Sequence, residues 1–344
     1  HFSERCTANP NFALRLLQKG GQLPLMTFFV LSGFVIGLRH VHRSESFGSY
    51  ARSRFMRIYP VYLFSLFAAV AVVMLAQQTA VPANAPAFWR DQVLKIQSDG
   101  GIRTFLGNVF MLQGPKWFPN EGCFAPYGGT SPLWSLSFEW WFYMAFWLLK
   151  TKLKLPVARN LVYGWAIVST VGLCFYPCQP FVWSAAFSVW WAGVELAIQY
   201  EKEKSLSLAK QLPTALTLGA QFVLLLVGGY VLHRWRHIDS HTVLNVYDWI
   251  FCALSVFIAA LLFSKSFARP FPKTTKIVRR LGADSYAIYA VHYVLFNVVA
   301  ILAHSHLIVW LSLATVGTYL LADFMEHHVH PAGVRLIKSF WKSA

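Results

Sequence analysis

The chain has 344 residues, of which 56% are hydrophobic and only 13% are charged, and its mean hydropathy is +0.46. This composition excludes an ordinary soluble domain, because a soluble surface carries about twice that share of charged side chains. The net charge of +16 calls for no nucleic-acid partner, since the basic residues are spread over short loops that suit anionic lipid headgroups.

Apolar stretches without Lys or Arg follow one another along the whole chain. A membrane-spanning helix needs roughly 20 mostly apolar residues, and the shortest of these stretches fall a little under that length. The sequence therefore predicts an all-α fold, a polytopic transmembrane helix bundle of about nine spans. The stretches are 23–38, 58–76, 132–149, 161–176, 181–199, 212–232, 244–263, 285–303 and 307–322.

The positive charge collects on alternate loops. Of the 30 Lys and Arg residues, 21 lie in the segments 39–57, 150–160, 200–211, 264–284 and 323–344, so the positive-inside rule predicts that these segments are cytoplasmic. This orientation places residues 1–22 outside although no span precedes them, and the chain opens on His1 rather than Met. We therefore expect one more span upstream of His1. A bacterial inner membrane is the favoured location, with a eukaryotic internal or plasma membrane left open.

Residues 1–344 contain no visible internal repeat and are predicted to form a single membrane domain. Its longest hydrophilic stretch, 77–131, is predicted to be a long non-cytoplasmic loop. Within that loop, Phe105–Leu112 is apolar but too short to span a membrane. It is therefore predicted to be an interfacial or re-entrant segment.

Glu139 lies well inside a predicted span, where an ionisable group is costly and therefore raises a functional hypothesis. Ser131 is predicted to be an N-cap and Pro132 the first helical residue, which puts Glu139 about 10 Å below the outer helix end. Ser131, Ser135, Glu139 and Tyr143 are spaced by four and share one face, so we expect this stripe to line a cavity or the bundle interior. A hydrogen-bonded structural carboxyl is the alternative. Glu195 and Asp248 lie nearer to span ends and are expected to be structural.

Two further groups are candidates. His292 lies inside a predicted span and either lines a cavity or hydrogen-bonds a neighbouring backbone carbonyl. Arg54 and Arg57 are three residues apart at a predicted membrane boundary, where guanidinium groups suit phosphate. Plain anchoring to lipid headgroups is the alternative for this pair.

Five segments carry a family resemblance. They are Phe28–Ile36 (FFVLSGFVI), Arg54-x-x-Arg57-x-x-Pro60-x-Tyr62, Trp134-Ser135-Leu136-Ser137-x-Glu139, Tyr286-x-x-Tyr289-x-x-His292, and Asp323-Phe324-Met325-Glu326 followed by Pro331. In this order, over nearly the whole chain, they resemble the acyltransferase 3 family of membrane O-acyltransferases.

The resemblance implies a bundle of ten transmembrane helices that transfers an acyl group, most often acetyl, from cytoplasmic acyl-CoA to a hydroxyl. It implies that His1 is the catalytic histidine, acting as a base or carrying the acyl group, with Glu139 orienting it. Donor CoA would bind at Arg54, Arg57 and Tyr59. The acceptor side or cavity would be lined by Trp134, Ser135, Ser137, Tyr143 and His292.

The expected partners are acyl-CoA, the lipid bilayer, and a hydroxyl-bearing acceptor such as a carbohydrate or another surface or exported molecule. No metal-ligand spacing is visible, and no metal is expected. The alternative function is a transporter or flippase for an anionic or lipid-linked solute, in which Glu139 and His292 form a proton relay. The lack of a visible inverted repeat argues against that alternative.

Overall fold

The computed structural model describes residues 22–79, 87–115, 124–176, 178–231, 241–267, 276–302 and 307–343. These ranges contain no β-strand, and one isolated bridge pairs Gln113 with Phe124. A π-helical turn, Met325–Val329, connects α11 to α12, and the 3-10 turns Tyr127–Gly129 and Ser131–Leu133 precede α5. The α-helices are α1 (Gln22–His40), α2 (Phe47–Gln78), α3 (Ala87–Ser98), α4 (Ile102–Val109), α5 (Trp134–Lys152), α6 (Leu155–Phe175), α7 (Gln179–Glu203), α8 (Leu212–Val231), α9 (His241–Phe267), α10 (Lys276–Leu302), α11 (Leu307–Phe324) and α12 (His330–Ser343).

The prediction of an all-α polytopic bundle is confirmed, because each of the nine apolar stretches coincides with a helix. Within the described ranges, six helical segments are long and apolar enough to cross a membrane: Gln22–His40, Phe47–Gln78, Leu155–Phe175, Gln179–Glu203, Val243–Leu262 and Gly282–Leu302. Within the described residues, the stretch 212–232 contributes the shorter apolar helix Leu212–Gly228, and 132–149 is less apolar than the six. In 132–149 the deficit has a physical cause, since Ser135, Ser137 and Glu139 interrupt the apolar surface.

The chain forms two compact units. Unit 1 comprises His1–Glu45, Trp117–Asn120 and Phe142–Phe271, and unit 2 comprises Ser46–Lys116, Glu121–Trp141 and Pro272–Ala344. The single membrane domain over 1–344 stays a prediction, and each unit is described below by itself.

In unit 1, helices α1 and α7 pack with their backbones in contact. A Cβ at Gly33 would lie 1.9 Å from the Trp190 carbonyl oxygen, and a Cβ at Gly193 would lie 2.0 Å from the Val30 carbonyl oxygen. Small residues permit this approach between membrane helices, where packing replaces the hydrophobic driving force. The segment Phe28–Ile36 therefore has a structural role in unit 1: its glycine admits the α7 backbone.

This packing predicts that Gly33→Ala destabilises the protein, because the added methyl overlaps a backbone carbonyl. We expect the free energy of unfolding to fall by about 1–3 kcal/mol, the usual cost of overpacking. Gly164→Ala is the matched control, since a Cβ at Gly164 in α6 meets nothing within 4 Å. Thermal melting of both detergent-solubilised variants gives the comparison, and equal melting temperatures would contradict the close approach.

A buried charge cluster ties the end of α1 to α5, also within unit 1. His40 Nδ1 lies 2.7 Å from Glu45 Oε1, and Lys150 Nζ donates to Glu45 Oε1 at 3.3 Å and to the His40 carbonyl at 2.6 Å. The three side chains are only 4–6% exposed. Burial alone would raise the pKa of Glu45, but the hydrogen bonds and charges of His40 and Lys150 outweigh burial and lower that pKa below its usual value.

The lowered pKa predicts how stability depends on pH. A carboxylate with a depressed folded-state pKa stabilises the fold above its unfolded pKa of about 4.3, and that stabilisation is lost as the pH falls through the folded-state pKa. Glu45→Gln should therefore melt below wild type near pH 7, and the difference should shrink below about pH 4. Glu201→Gln, which removes a carboxylate that is 40% exposed, should follow the wild-type profile. A constant difference across that pH range would contradict the assignment.

In unit 2, the segment after α4 reaches the middle of α2. Tyr62 lies about 22 Å along α2 from Phe47, at 1.5 Å per residue, and its hydroxyl donates to the Asn108 carbonyl at 2.8 Å. Tyr59 donates to the Val109 carbonyl at 3.3 Å. Helix α4 covers Phe105–Val109 of the predicted segment Phe105–Leu112, and these contacts place its end against the middle of α2. The interfacial or re-entrant placement of this segment stays a prediction.

Buried amides hold the segment Phe105–Leu112 in place. The Asn108 side chain donates to the Thr104 and Ala125 carbonyls, both at 2.8 Å, and accepts the Tyr127 amide at 3.0 Å. Gln113 donates to the Tyr62 hydroxyl at 3.0 Å. Non-helical backbone inside a membrane protein must find its hydrogen-bond partners within the protein, and these amide side chains supply them.

Candidate functional site

Glu139 lies on the first half of α5, in unit 2, and only 4% of its surface is exposed. Ser131 is the first residue of the 3-10 turn that precedes α5, and Thr130 occupies the N-cap of that turn, so the prediction of Ser131 as N-cap was wrong. Ser135, one turn before Glu139, is fully buried and lies 2.6 Å from the Tyr289 hydroxyl. The shared face of Ser135 and Glu139 is therefore enclosed.

Helix α10 contributes two tyrosines beside this face. The Tyr289 hydroxyl donates to the Pro132 carbonyl at 2.7 Å, and the Tyr286 hydroxyl donates to the Ile58 carbonyl at 2.8 Å. Ser135, one turn from Glu139, contacts the Tyr289 hydroxyl, so the carboxylate and the two phenols lie on neighbouring helices of one unit. Their surroundings are largely buried, which strengthens electrostatic interactions relative to water.

His292 lies one turn further along α10. Its Nδ1 lies 2.7 Å from the Tyr289 carbonyl oxygen, which can only accept, so Nδ1–H donates this hydrogen bond and Nε2 is the acceptor nitrogen whenever the ring is neutral. The imidazole also lines a cleft of about 560 Å³ between α10 and α11, together with Tyr289, Phe296, Thr315 and Thr318. Both alternatives for His292 are therefore observed at once, the carbonyl hydrogen bond and the cleft wall.

Arg57 makes an ion pair rather than facing solvent alone. Its Nη1 donates to Glu326 Oε1 at 2.6 Å, and its guanidinium lies over the Tyr286 ring at 5.6 Å. Its side chain is 45% exposed, whereas that of Glu326 is 13% exposed. Arg54 Nε donates to Ser53 Oγ at 3.2 Å, and its guanidinium lies over the Tyr50 ring at 5.8 Å.

The Tyr59 side chain contacts the segment Phe105–Leu112. Besides donating to the Val109 carbonyl, its ring stacks on Phe55 with centroids 4.1 Å apart. It is 9% exposed. The structure therefore places Tyr59 inside unit 2, deeper than the half-exposed guanidinium of Arg57.

The remaining acceptor-side residues lie in different surroundings. Ser137 donates to the Met111 carbonyl at 2.6 Å, and Trp141 donates to the same oxygen at 2.8 Å. Trp134 packs edge-on against Phe138. Tyr143 belongs to unit 1, where its hydroxyl lies 3.0 Å from Ser32 Oγ.

Sequence reasoning gave no site role to Tyr286, Tyr289 or Glu326. The spacing of three in Tyr286-x-x-Tyr289-x-x-His292 could have indicated the two tyrosines, because it places them on one helical face with His292. Glu326 lies 269 residues from Arg57, and no local sequence pattern indicates that the two residues pair. The catalytic role predicted for His1 lies outside the described residues.

Fold and site together define a polytopic helical membrane protein with a buried carboxylate, two phenols and an imidazole grouped in one unit. The family model described as "Acyltransferase domain" (Acyl_transf_3) matches residues 14–327, and the chain belongs to this family. The chain is a multi-pass membrane member of this family.

One curated relative is the acyltransferase MdmB of Streptomyces mycarofaciens, which is 28% identical over 166 residues. The match covers 48% of this chain and 36% of the relative, so the chain spans only about a third of that protein's length. No solved structure matches the chain.

Proposed function

We propose that this protein is an acyl-CoA-dependent O-acyltransferase that moves an acyl group, acetyl above all, to a hydroxyl of a carbohydrate or another exported acceptor. Family membership supports the transfer of an acyl group. The observation that carries the site is the enclosed arrangement of Glu139, Ser135, Tyr289 and Tyr286 in unit 2, a group with no evident purpose in a passive bundle. The relative's printed name, an acyltransferase, agrees with the reaction class.

The proposed chemistry needs a base, because an alcohol is a poor nucleophile until its proton is removed. In the proposal, the acceptor O–H gives its proton to a neutral imidazole, and the oxygen attacks the thioester carbonyl. The C–S bond then breaks, and the CoA thiolate leaves with that proton. His1 is proposed as the base or as the transient acyl carrier, with Glu139 orienting its ring.

The donor is proposed to enter at the predicted cytoplasmic side, where Arg54 and Arg57 bind CoA phosphates. A guanidinium offers several N–H donors, so Arg57 can hold a phosphate on one edge while keeping its bond to Glu326 on another. Glu326 would oppose that binding through its own negative charge. The acceptor is proposed to approach from the other side, with Trp134, Ser137 and the 77–131 loop around it, and Ser135, Tyr143 and His292 are proposed to line cavities nearby.

The first test measures release of free CoA from acetyl-CoA by the purified protein, with a panel of sugars and other hydroxyl-bearing compounds as acceptors. Glu139→Gln keeps the size of the side chain and removes its charge. We expect kcat to fall about 10²–10⁴-fold, the usual contribution of acid–base groups, while the KM for acetyl-CoA changes by less than about threefold.

Glu195→Gln is the control for removing a partly buried carboxylate from a span. Glu195 also lies in a span, where it accepts the Trp191 indole N–H at 3.0 Å, and its substitution should leave kcat near wild type. An equal loss in both variants would make the effect a structural one. Full activity of Glu139→Gln would contradict the proposed role of Glu139. A lack of acetyl-CoA turnover with every acceptor would contradict acetyl-CoA as the donor.

A second test concerns CoA affinity. Arg57→Ala should weaken CoA binding about tenfold or more, because a charge-assisted hydrogen bond contributes about 1.5–3 kcal/mol. Glu326→Gln should tighten it several-fold, since a competing carboxylate is removed. Calorimetric titration with CoA gives both affinities, and Arg52→Ala on the same helix is the control. Weaker binding in Glu326→Gln would contradict the proposed competition and make the pair purely structural.

A further inference from the structure

Three potential metal ligands meet at one rim of unit 2. Asp284 lies near the start of α10, Asp323 near the end of α11, and His327 on the π-helical turn Met325–Val329. His327 Nε2 lies 3.4 Å from Asp284 Oδ1 and 3.6 Å from Asp323 Oδ1. One ligand atom from each residue lies within 4.8 Å of the other two.

The Asp284 carboxylate is the observation that indicates a ligand. Its side chain is fully buried, and neither of its oxygens has a hydrogen-bond partner. An isolated buried carboxylate is costly, and buried charges in proteins are paired or coordinate metals. His327 Nε2, at 3.4 Å, forms an ion pair with this carboxylate only when the imidazole is protonated, whereas a metal ion would satisfy the carboxylate and a neutral imidazole together.

The geometry suits a small transition-metal ion. Zinc binds histidine nitrogen and carboxylate oxygen at about 2.0–2.2 Å, so adjacent ligands of a tetrahedral zinc lie about 3.3–3.5 Å apart. The two distances measured from His327 agree with that edge within about 0.2 Å. A nitrogen donor argues against Ca²⁺ and Mg²⁺, which prefer oxygen ligands alone.

The surroundings of the cluster fit such an ion. Arg280 donates to Asp323 Oδ1 through Nε at 2.8 Å and through Nη2 at 2.5 Å. Carboxylates that bind a metal are commonly oriented by such hydrogen bonds from neighbouring residues. The guanidinium and the two carboxylates leave one negative charge. The π-helical turn interrupts regular helix at His327, and such turns are frequent at functional sites.

We propose that Asp284, Asp323 and His327 bind a divalent transition-metal ion, of which Zn²⁺ fits the ligand set best. Three protein ligands leave a fourth position for water or for an anionic ligand. His327 is 47% exposed, so an ion can reach the site from solution while Asp284 holds it from the buried side. This proposal is independent of the proposed acyl transfer, and its test uses no activity.

The test uses the full-length protein in detergent with Zn²⁺ as the probe. Isothermal titration and metal analysis after dialysis give affinity and stoichiometry for wild type, His327→Ala, Asp284→Asn and His328→Ala. His328 is the matched control, because the adjacent imidazole stacks on Phe324 outside the cluster. We expect one ion per chain in wild type and His328→Ala, and at least tenfold weaker binding in the other two variants.

Zinc should also raise the melting temperature of wild type and of His328→Ala, as any ligand of the native state does, but not that of His327→Ala. X-ray absorption of the zinc-loaded wild type keeps the proposal falsifiable if a variant fails to fold. It should show nitrogen and oxygen ligands at about 2.0–2.2 Å without sulfur. No zinc binding, binding unaffected in both cluster variants, equal loss in His328→Ala, or a sulfur ligand would each overturn the site.

Discussion

A polar side chain inside an apolar bundle is tolerated only where the protein itself supplies its partner, and helix α5 depends on that constraint. Ser135 finds the Tyr289 hydroxyl on α10, and Ser137 and Trp141 both donate to one carbonyl, that of Met111. These contacts extend from different faces of α5 and hold α10 and the segment Phe105–Leu112 against it. Since lipid offers no replacement partners, the arrangement around Glu139 is tied to the integrity of the whole unit.

The same constraint explains what could be predicted from the sequence. Bilayer thickness sets the length of an apolar run, so the nine stretches fell on helices without knowledge of any contact. The cost of an ionisable group in a span likewise singled out Glu139 and His292, and the structure places both within unit 2. Glycine in Phe28–Ile36 was quoted for resemblance alone, yet its packing role follows from a neighbour about 160 positions away, which no local pattern encodes.

Three contacts within unit 2 escaped prediction for a related reason. The segment Phe105–Leu112 was predicted, but its contact with α2 joins Tyr62 and Asn108, which are 46 positions apart. The Arg57–Glu326 pair and the Asp284–Asp323–His327 cluster join residues that are distant in the chain and unremarkable where they stand. The last two also involve charged side chains that a charge count assigns to loops facing water or headgroups. A charge count does not specify the partner of any one side chain, because many arrangements satisfy the same count.

Backbone contact between α1 and α7 limits how unit 1 can move. Each helix places a glycine against a main-chain oxygen of the other, and no flexible side chain lies between them that could adjust to a displacement. An axial slide of one helix would drive a bulky neighbour of Gly33 into rigid main chain, so sliding is far costlier than joint displacement. Any substrate-driven motion of α1 would therefore move α7 with it, so the two helices would move as one rigid body.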